Sequence, residues 1–420
     1  MTPPIDVHRN APIDASRLEG EIEELARFSD TPYPSVTRIL FTEQDMRART
    51  WLMERMTAAG LTVRVDAVGN VFARWEGSDP DLPAVATGSH CDAIPDAGRF
   101  DGVVGVLGGL EAIRALQSAG HTPRRAIELI MFTAEEPTRY ALGCLGSRVL
   151  AGVVTRERLD ALRDADGGTL DRARAAAGVV GDVMGATLAP GHYAAFLELH
   201  IEQGPELEAG GTPIGVVTAI AAPATLRVEL SGTGGHAGAV LMPLRHDPLV
   251  AASEVVLAVD REARGSGAGD TVGTVGLLTV EPGAVNSIPR RVRMDIDIRH
   301  TDLPRPDAVL ERGRAAARDA AARHGVGHEE AILNADDPMT SDPALIEAIE
   351  SACAEEGLEV VRMISRAYHD CVFMARICPA AMVFVPSRGG VSHRPDEYTS
   401  PREIAQGAAI LAGALRRLSA

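Results

Sequence analysis

Four short, almost unbroken apolar runs constrain this chain most: AVATGS (84–89), AIELIMFT (126–133), AAFLEL (194–199) and AAMVFV (380–385). Runs this short, without polar alternation, suit strands buried on both faces, as in a parallel or mixed sheet covered by helices. VVGVLGGLEAIRALQSAG (103–120) lies between the first two and predicts a helix closed by Gly120. Strand, helix, strand is a βαβ unit, so the fold class is α/β with a mixed sheet. TLRVELSG (225–232) and VRMDIDIR (292–299) instead alternate apolar with polar, the pattern of a sheet with one wet face. With helical stretches at about 247–263 and 304–324, they predict an α+β domain over 221–334, inserted into a larger domain made of 1–220 and 335–420. Near the start, Thr42 with Asp45 resembles a capping box, Met46, Leu52, Met53 and Met56 share one helix face, and Gly60 marks its stop. Stretches 61–65 and 68–73 read as a strand pair, and 161–185 as an insertion between core elements.

Composition narrows the function classes. Acids outnumber bases 58 to 41, a formal charge of −17, which disfavours binding to phosphate backbones. No apolar run is long enough to span a membrane, and MTPPIDVHRN lacks the plan of a secretory signal. The five cysteines form no C-x-x-C pair, so a disulfide framework or thiolate zinc site is not suggested. The expectation is a reduced, cytoplasmic protein without nucleic-acid or membrane partners.

The chemistry-bearing side chains cluster just after the buried runs. His90 and Asp92 follow AVATGS, with Asp101 beyond in GRFDG; Glu135 and Glu136 follow ELIMFT; His200 follows AFLEL; His393 follows VFVPS and a glycine-rich turn. In open α/β sheets the ligand crevice lies outside the carboxyl ends of the strands, so separate segments deliver these groups to one edge. Singly they are weak signals, since a lone His is usually structural and paired glutamates usually solvated. Two carboxylates beside an interior, however, need a cation or a proton. Imidazole and carboxylate in this number suit two divalent ions that activate a water and stabilise an oxyanion.

GSHCDAIPDAGRFDGVVGVLGGLEAI, FTAEEPTRYALGCLGSR, LELHIEQGP, GTGGHAGA, GAVNSIP and GGVSH resemble the dinuclear metallo-amidohydrolases of the M20 peptidase superfamily, in its carbamoylase and allantoate amidohydrolase branch. Within that branch, EEPTRY, GHAGAVLMP and MISRAYHD are similar to the ureidoglycolate amidohydrolase subgroup. The resemblance implies a metallo-exopeptidase-like catalytic domain, an inserted dimerisation or lid domain, and hydrolysis of the ureido C–N bond of a small polar ureido carboxylate. The alternative activity is allantoate amidohydrolase or N-carbamoyl-L-amino-acid hydrolase, including β-ureidopropionase. It also implies two divalent ions, manganese favoured and zinc possible. His90, Asp101 and His200 would hold one, and Asp101, Glu136 and His393 the other. Glu135 would be the general base, and Asp92 would orient the His90 ring. A cis peptide is expected after Asp101. His236 would polarise the scissile carbonyl across a homodimer interface. Asn286 and Arg299 would grip the substrate carboxylate, Gln203 would bind its ureido or carboxylate end, and Tyr368 with His369 would read its hydroxyl and carboxylate. Hinges near 220 and 335 would allow closure.

Overall fold

A computed structural model describes residues 11–266, 271–300 and 306–420. The expected leaderless start and the first residues of the 304–324 helix lie outside the described residues. The chain divides into two compact units: one contains the chain up to Thr218, Thr340–Met363 and His369–Ala420; the other contains Ala219–Met339 and Ile364–Tyr368.

The first unit is built on a nine-stranded mixed sheet. Its principal strands are β1 (Thr62–Val65), β2 (Val71–Trp75), β3 (Ala84–His90), β4 (Ile127–Phe132), β5 (Tyr193–Ile201), β6 (Ile214–Ile220) and β7 (Ala380–Val385). They lie side by side in the order β6, β7, β5, β3, β4, β2, β1. The four apolar runs are the four central strands, and β7, β5, β3 and β4 are mutually parallel. Every residue of β3, β4 and β7 is buried, which is why these runs lack alternation. The flanking strands β6 and β2 are antiparallel to their neighbours.

The helices that cover this sheet's core include α1 (Glu43–Ala58), α2 (Val103–Ser118) and α3 (Pro401–Leu418), joined by helices Ala15–Leu25 and Pro343–Glu356. Thr42 caps α1 through the Asp45 N–H, but the expected capping box is only half made. Asp45 accepts instead from the Phe41 N–H at 2.7 Å and holds the buried Arg49 at 2.9 Å. The strand pair starts later than the sequence predicts. The N–H groups of Val68, Gly69 and Asn70 all donate to Asp66 Oδ1 at 2.8–2.9 Å, which keeps them in the turn. Residues 161–185 form short helical pieces, and the preceding EEPTRY segment ties to them. Arg139 pairs with Asp164 at 3.2 Å, and the Tyr140 hydroxyl donates to the Thr169 carbonyl at 3.3 Å.

Helix α2 connects β3 to β4 on one side of β3, while β5 lies on the other side. The chain therefore reverses its winding between β3 and β5, where an α/β sheet opens a crevice at its carboxyl edge. Gly105 lets α2 lie close against both strands. A Cβ there would meet Ser89 Cβ at 2.5 Å and would also press on the Leu199 carbonyl oxygen.

The second unit carries a four-stranded antiparallel sheet, ordered 272–281, 291–300, 222–231, 327–335. Leu226, Val228, Leu230, Val292, Met294, Ile296 and Ile298 face a core shared with helices 248–264 and 306–324. The opposite face is polar, with Arg227 paired across to Asp295 at 2.7 Å. This is the one-wet-face sheet read from the alternation. Among the described residues, no helix is long and apolar enough to cross a membrane.

Gly105→Ala is expected to cost about 1–3 kcal/mol by overpacking. Chemical denaturation monitored by circular dichroism checks this, and an unchanged midpoint would contradict the close approach.

Candidate metal centre and active site

The carboxyl edge of the parallel strands gathers the predicted groups. His90 ends β3 and His200 lies inside β5, so both rings are held by strand backbone rather than by the loops beyond. Their ring centres are 6.0 Å apart across the β3/β5 opening. Glu135 and Glu136 follow β4, and His393 lies on the loop after β7.

Asp101 is the meeting point. Its Oδ1 lies 3.2 Å from His200 Nε2 and 3.6 Å from His90 Nε2, while its Oδ2 lies 3.2 Å from His393 Nε2. His393 Nε2 is also 3.2 Å from Glu136 Oε1. His90, Asp101 and His200 thus form one group whose ligand atoms all lie within 4.8 Å of one another, and Asp101, Glu136 and His393 form a second. The Nδ1 of His90 lies 3.1 Å from the Asp92 carbonyl oxygen and that of His200 2.9 Å from the Ile201 carbonyl oxygen. Each Nδ1 can therefore donate to a backbone carbonyl, which leaves each Nε2, directed at Asp101, as the ring atom available to a cation. Asp92 orients His90 through its backbone more than its side chain, whose Oδ1 is 3.6 Å from the ring. The Asp92 carboxylate instead accepts from the N–H groups of Glu135 and Glu136 at 3.2 and 3.0 Å, fixing the acidic pair.

Gly102 follows Asp101 at φ +65, in the left-handed region, and a Cβ there would strike the His90 ring at 2.5 Å. The expected cis peptide is not found. Among the described residues the cis bonds precede Pro34 and Pro282, and the Asp101–Gly102 bond is trans. The glycine serves φ and the space beside His90, and its N–H points at His200 Nε2 at 3.1 Å.

Glu135 projects one oxygen into this cluster and anchors the other. Oε2 is 3.8 Å from His90 Nε2, and Oε1 accepts from the Cys144 thiol at 3.4 Å. Burial pushes its carboxyl well above the usual range; the Glu136, Asp370 and Asp101 charges add to this, and His90 opposes it. Asp101 goes the other way. Burial raises it, but hydrogen bonds to His200, His393 and His90 outweigh that and hold it well below the usual range. Hydrogen bonds to Asp101 and Glu136 push His393 up to about 11. Without a cation, protonated imidazole supplies the positive charge that the carboxylates demand. The donor set, imidazole nitrogens turned on a shared carboxylate with a second carboxylate beside it, fits two divalent cations.

Other predicted residues sit differently. Gln203, at φ +56, donates from Nε2 to Asp101 Oδ2 at 2.7 Å and to Ser392 Oγ at 3.2 Å, and its Oε1 is buried without a partner. His369 is only 2% exposed, and its ring lies 4.5 Å from that of His200. His236, Asn286, Arg299 and Tyr368 belong to the second unit. There His236 and Asn286 share a small ribbon, since His236 pairs with Ser287 and the Ala237 N–H donates to the Asn286 carbonyl at 2.9 Å. Both side chains are exposed. Arg299 is not an open fork, because its Nε and one terminal nitrogen lie 2.9 Å from Asp297 Oδ2.

Several nearby groups have no role assigned from the sequence. Glu198 stands two residues before His200 on β5 and so shares its face. It accepts from Ser89 Oγ at 2.8 Å and from the Cys371 N–H at 3.1 Å. Period-two spacing was the available signal. Asp370, beside His369, is held by Ser147, and burial pushes its carboxyl up to about 8. For Glu397 and Ser392, flanking His393, no local pattern announced a role.

The profile of peptidase family M20/M25/M40 matches residues 86–417. A protein of Arabidopsis thaliana named ureidoglycolate hydrolase is 49% identical over 424 aligned positions, covering 99% of this chain and 89% of its own. The allantoate amidohydrolase of Bacillus subtilis (strain 168) is 35% identical over 405, covering 95% and 96%. The crystal structure of AtUAH in complex with glyoxylate superposes with a TM-score of 0.92 at 49% identity, covering 98% of this chain and 99% of that one. The same values hold for its complex with (S)-hydroxyglycine.

Because a cation must displace protons from His393, whose ordinary pKa of about 6.5 is raised, binding is expected to release protons and to weaken as pH falls from 9 to about 6. Calorimetric titration with manganese in two buffers of different ionisation enthalpy measures this. Affinity that rises on acidification would contradict it.

Proposed function

The chain belongs to peptidase family M20/M25/M40, and from that premise we propose that it hydrolyses the ureido C–N bond of (S)-ureidoglycolate. Water adds to the ureido carbonyl, ammonia leaves, and the remaining carbamate loses carbon dioxide. The resulting hydroxyglycine then breaks down to glyoxylate and a second ammonia. The observation that carries this reading is the Asp101 carboxylate flanked by His90, His200 and His393, with Glu135 alongside.

The ligands suit two divalent cations, manganese favoured and zinc possible, which when bound lower the pKa of a water and stabilise negative charge on a carbonyl oxygen. The rest falls to the chain's own groups. Glu135 takes the proton of the attacking water at Oε2, while Cys144 fixes its other oxygen. Its raised pKa keeps the proton available for the leaving nitrogen. His236 accepts the Gly238 N–H at Nδ1, 3.1 Å away, so its proton resides on Nε2, ready to donate to the carbonyl oxygen as charge develops. By the family resemblance it does so in a homodimer, reaching the partner subunit's site. Asn286 and Arg299 bind the substrate carboxylate, Arg299 after loosening from Asp297. Gln203 binds the ureido end through the oxygen left without a partner. Tyr368 fills space that a larger ureido acid would need, and His369 acts through His200. The five unpaired, buried cysteines suit a reducing compartment such as the cytoplasm.

Ammonia release from ureidoglycolate is expected to exceed that from allantoate and N-carbamoyl-L-amino acids, and to vanish with chelator. An equal or reversed preference for allantoate would point to the relative's substrate instead. Glu135→Gln should lower kcat by roughly 10²–10⁴-fold with KM little changed. In Tyr368→Gly the preference for ureidoglycolate should narrow; unchanged relative rates would remove Tyr368 from specificity.

A further inference from the structure

Of the three imidazoles at the proposed metal centre, His393 is the one outside a strand. His90 and His200 belong to strands, whereas His393 lies on a loop, is 47% exposed in its side chain and has φ +57. Four residues later Glu397 turns inward and is 1% exposed. Its Oε1 accepts from the N–H groups of Phe100 and Asp101 at 2.8 and 3.1 Å. Its Oε2 accepts from Ser392 Oγ at 2.8 Å. That hydroxyl also lies 3.1 Å from Asp101 Oδ2 and receives the Gln203 amide at 3.2 Å. Gly98 leaves the space this carboxylate fills, since a Cβ there would meet Glu397 Cδ at 2.5 Å. One side chain thus grips the backbone that carries the shared carboxylate and the serine next to the loop ligand.

We propose that Glu397 is a positioning residue. Through Ser392 and the Asp101 backbone it fastens the His393 loop onto the shared carboxylate, and so sets affinity for the cation held by Asp101, Glu136 and His393. The proposal rests on the two-cation reading above. The other cation's imidazoles are placed by strands β3 and β5 and depend less on this fastening. Connectivity matters here more than charge. A glutamine can keep both backbone N–H groups on its carbonyl and point its amide at Ser392, which then gives its own proton to Asp101.

The test uses the full chain, stripped of metal and titrated with manganese alone, with free ion followed by electron paramagnetic resonance. Wild type should bind two ions, and the step lost in His393→Ala identifies the affected site. Glu397→Ala should weaken that step roughly 10–100-fold, with the other changed less than about threefold, and Glu397→Gln should restore it to within about threefold. Ser392→Ala, a small change, should weaken the same step, and combining it with Glu397→Ala should add little. A wild type that binds fewer than two ions removes the two-cation reading itself. With two ions bound, equal weakening of both steps, no weakening, or a glutamine as damaging as alanine overturns the role of Glu397. If Glu397→Ala does not fold, Ser392→Ala decides: a loss confined to the His393 step supports the proposal, and its absence overturns it.

Discussion

Carboxylates withdrawn from water demand positive charge, and that demand organises the catalytic unit. Asp92, Asp101, Glu135, Glu136, Glu198, Asp370 and Glu397 are all buried around one sheet edge. An unpaired buried charge costs several kcal/mol even after relaxation, on the order of a whole domain's margin of stability. Backbone N–H groups answer part of the demand, at Asp92, Glu198 and Glu397. Serines answer another part, at Glu198, Asp370 and Glu397. What is left converges on Asp101, where three imidazoles point at one carboxylate. Protons can satisfy that remainder, and so can divalent cations. A site able to exchange one for the other is suited to hold metal, which would make a water acidic.

The fold supplies the convergence. Parallel strands send all their carboxyl ends to the same edge, and the reversal of winding between β3 and β5 leaves a gap there. Gly105 lets α2 approach that gap, and Gly102 turns the chain so that Asp101 enters it, its missing Cβ leaving room for the His90 ring. Glu135, the proposed general base, is then held by the same Asp92 carboxylate that holds the backbone of the proposed ligand Glu136.

Much of this was legible before any coordinates. AVATGS, ELIMF, AFLEL and AAMVFV announced buried parallel strands because both of their faces are covered. VRMDIDIR announced a half-wet sheet because only one face is covered. The side chains that meet at Asp101 were legible as residues terminating those strands. Arrangements set by side chain against distant backbone were not. Glu397 finds Phe100 nearly three hundred residues away, and no local period encodes that. The half-made cap at Thr42 looked complete because Asp45 stands at the right spacing; its carboxylate prefers Arg49 and the Phe41 N–H. The packing of the buried His369 ring against that of His200 is likewise a contact that no local period encodes. The trans bond after Asp101 departs from what the family likeness implied, and only coordinates could show it.

The central claim is that the two oxygens of Asp101 face two separate cations. Anomalous diffraction from crystals grown in manganese, recorded on both sides of the manganese edge, tests it most directly. The account predicts two peaks, one between Asp101, His90 and His200 and one between Asp101, Glu136 and His393. A single peak, or peaks elsewhere with Asp101 still clasped only by imidazoles, would contradict it.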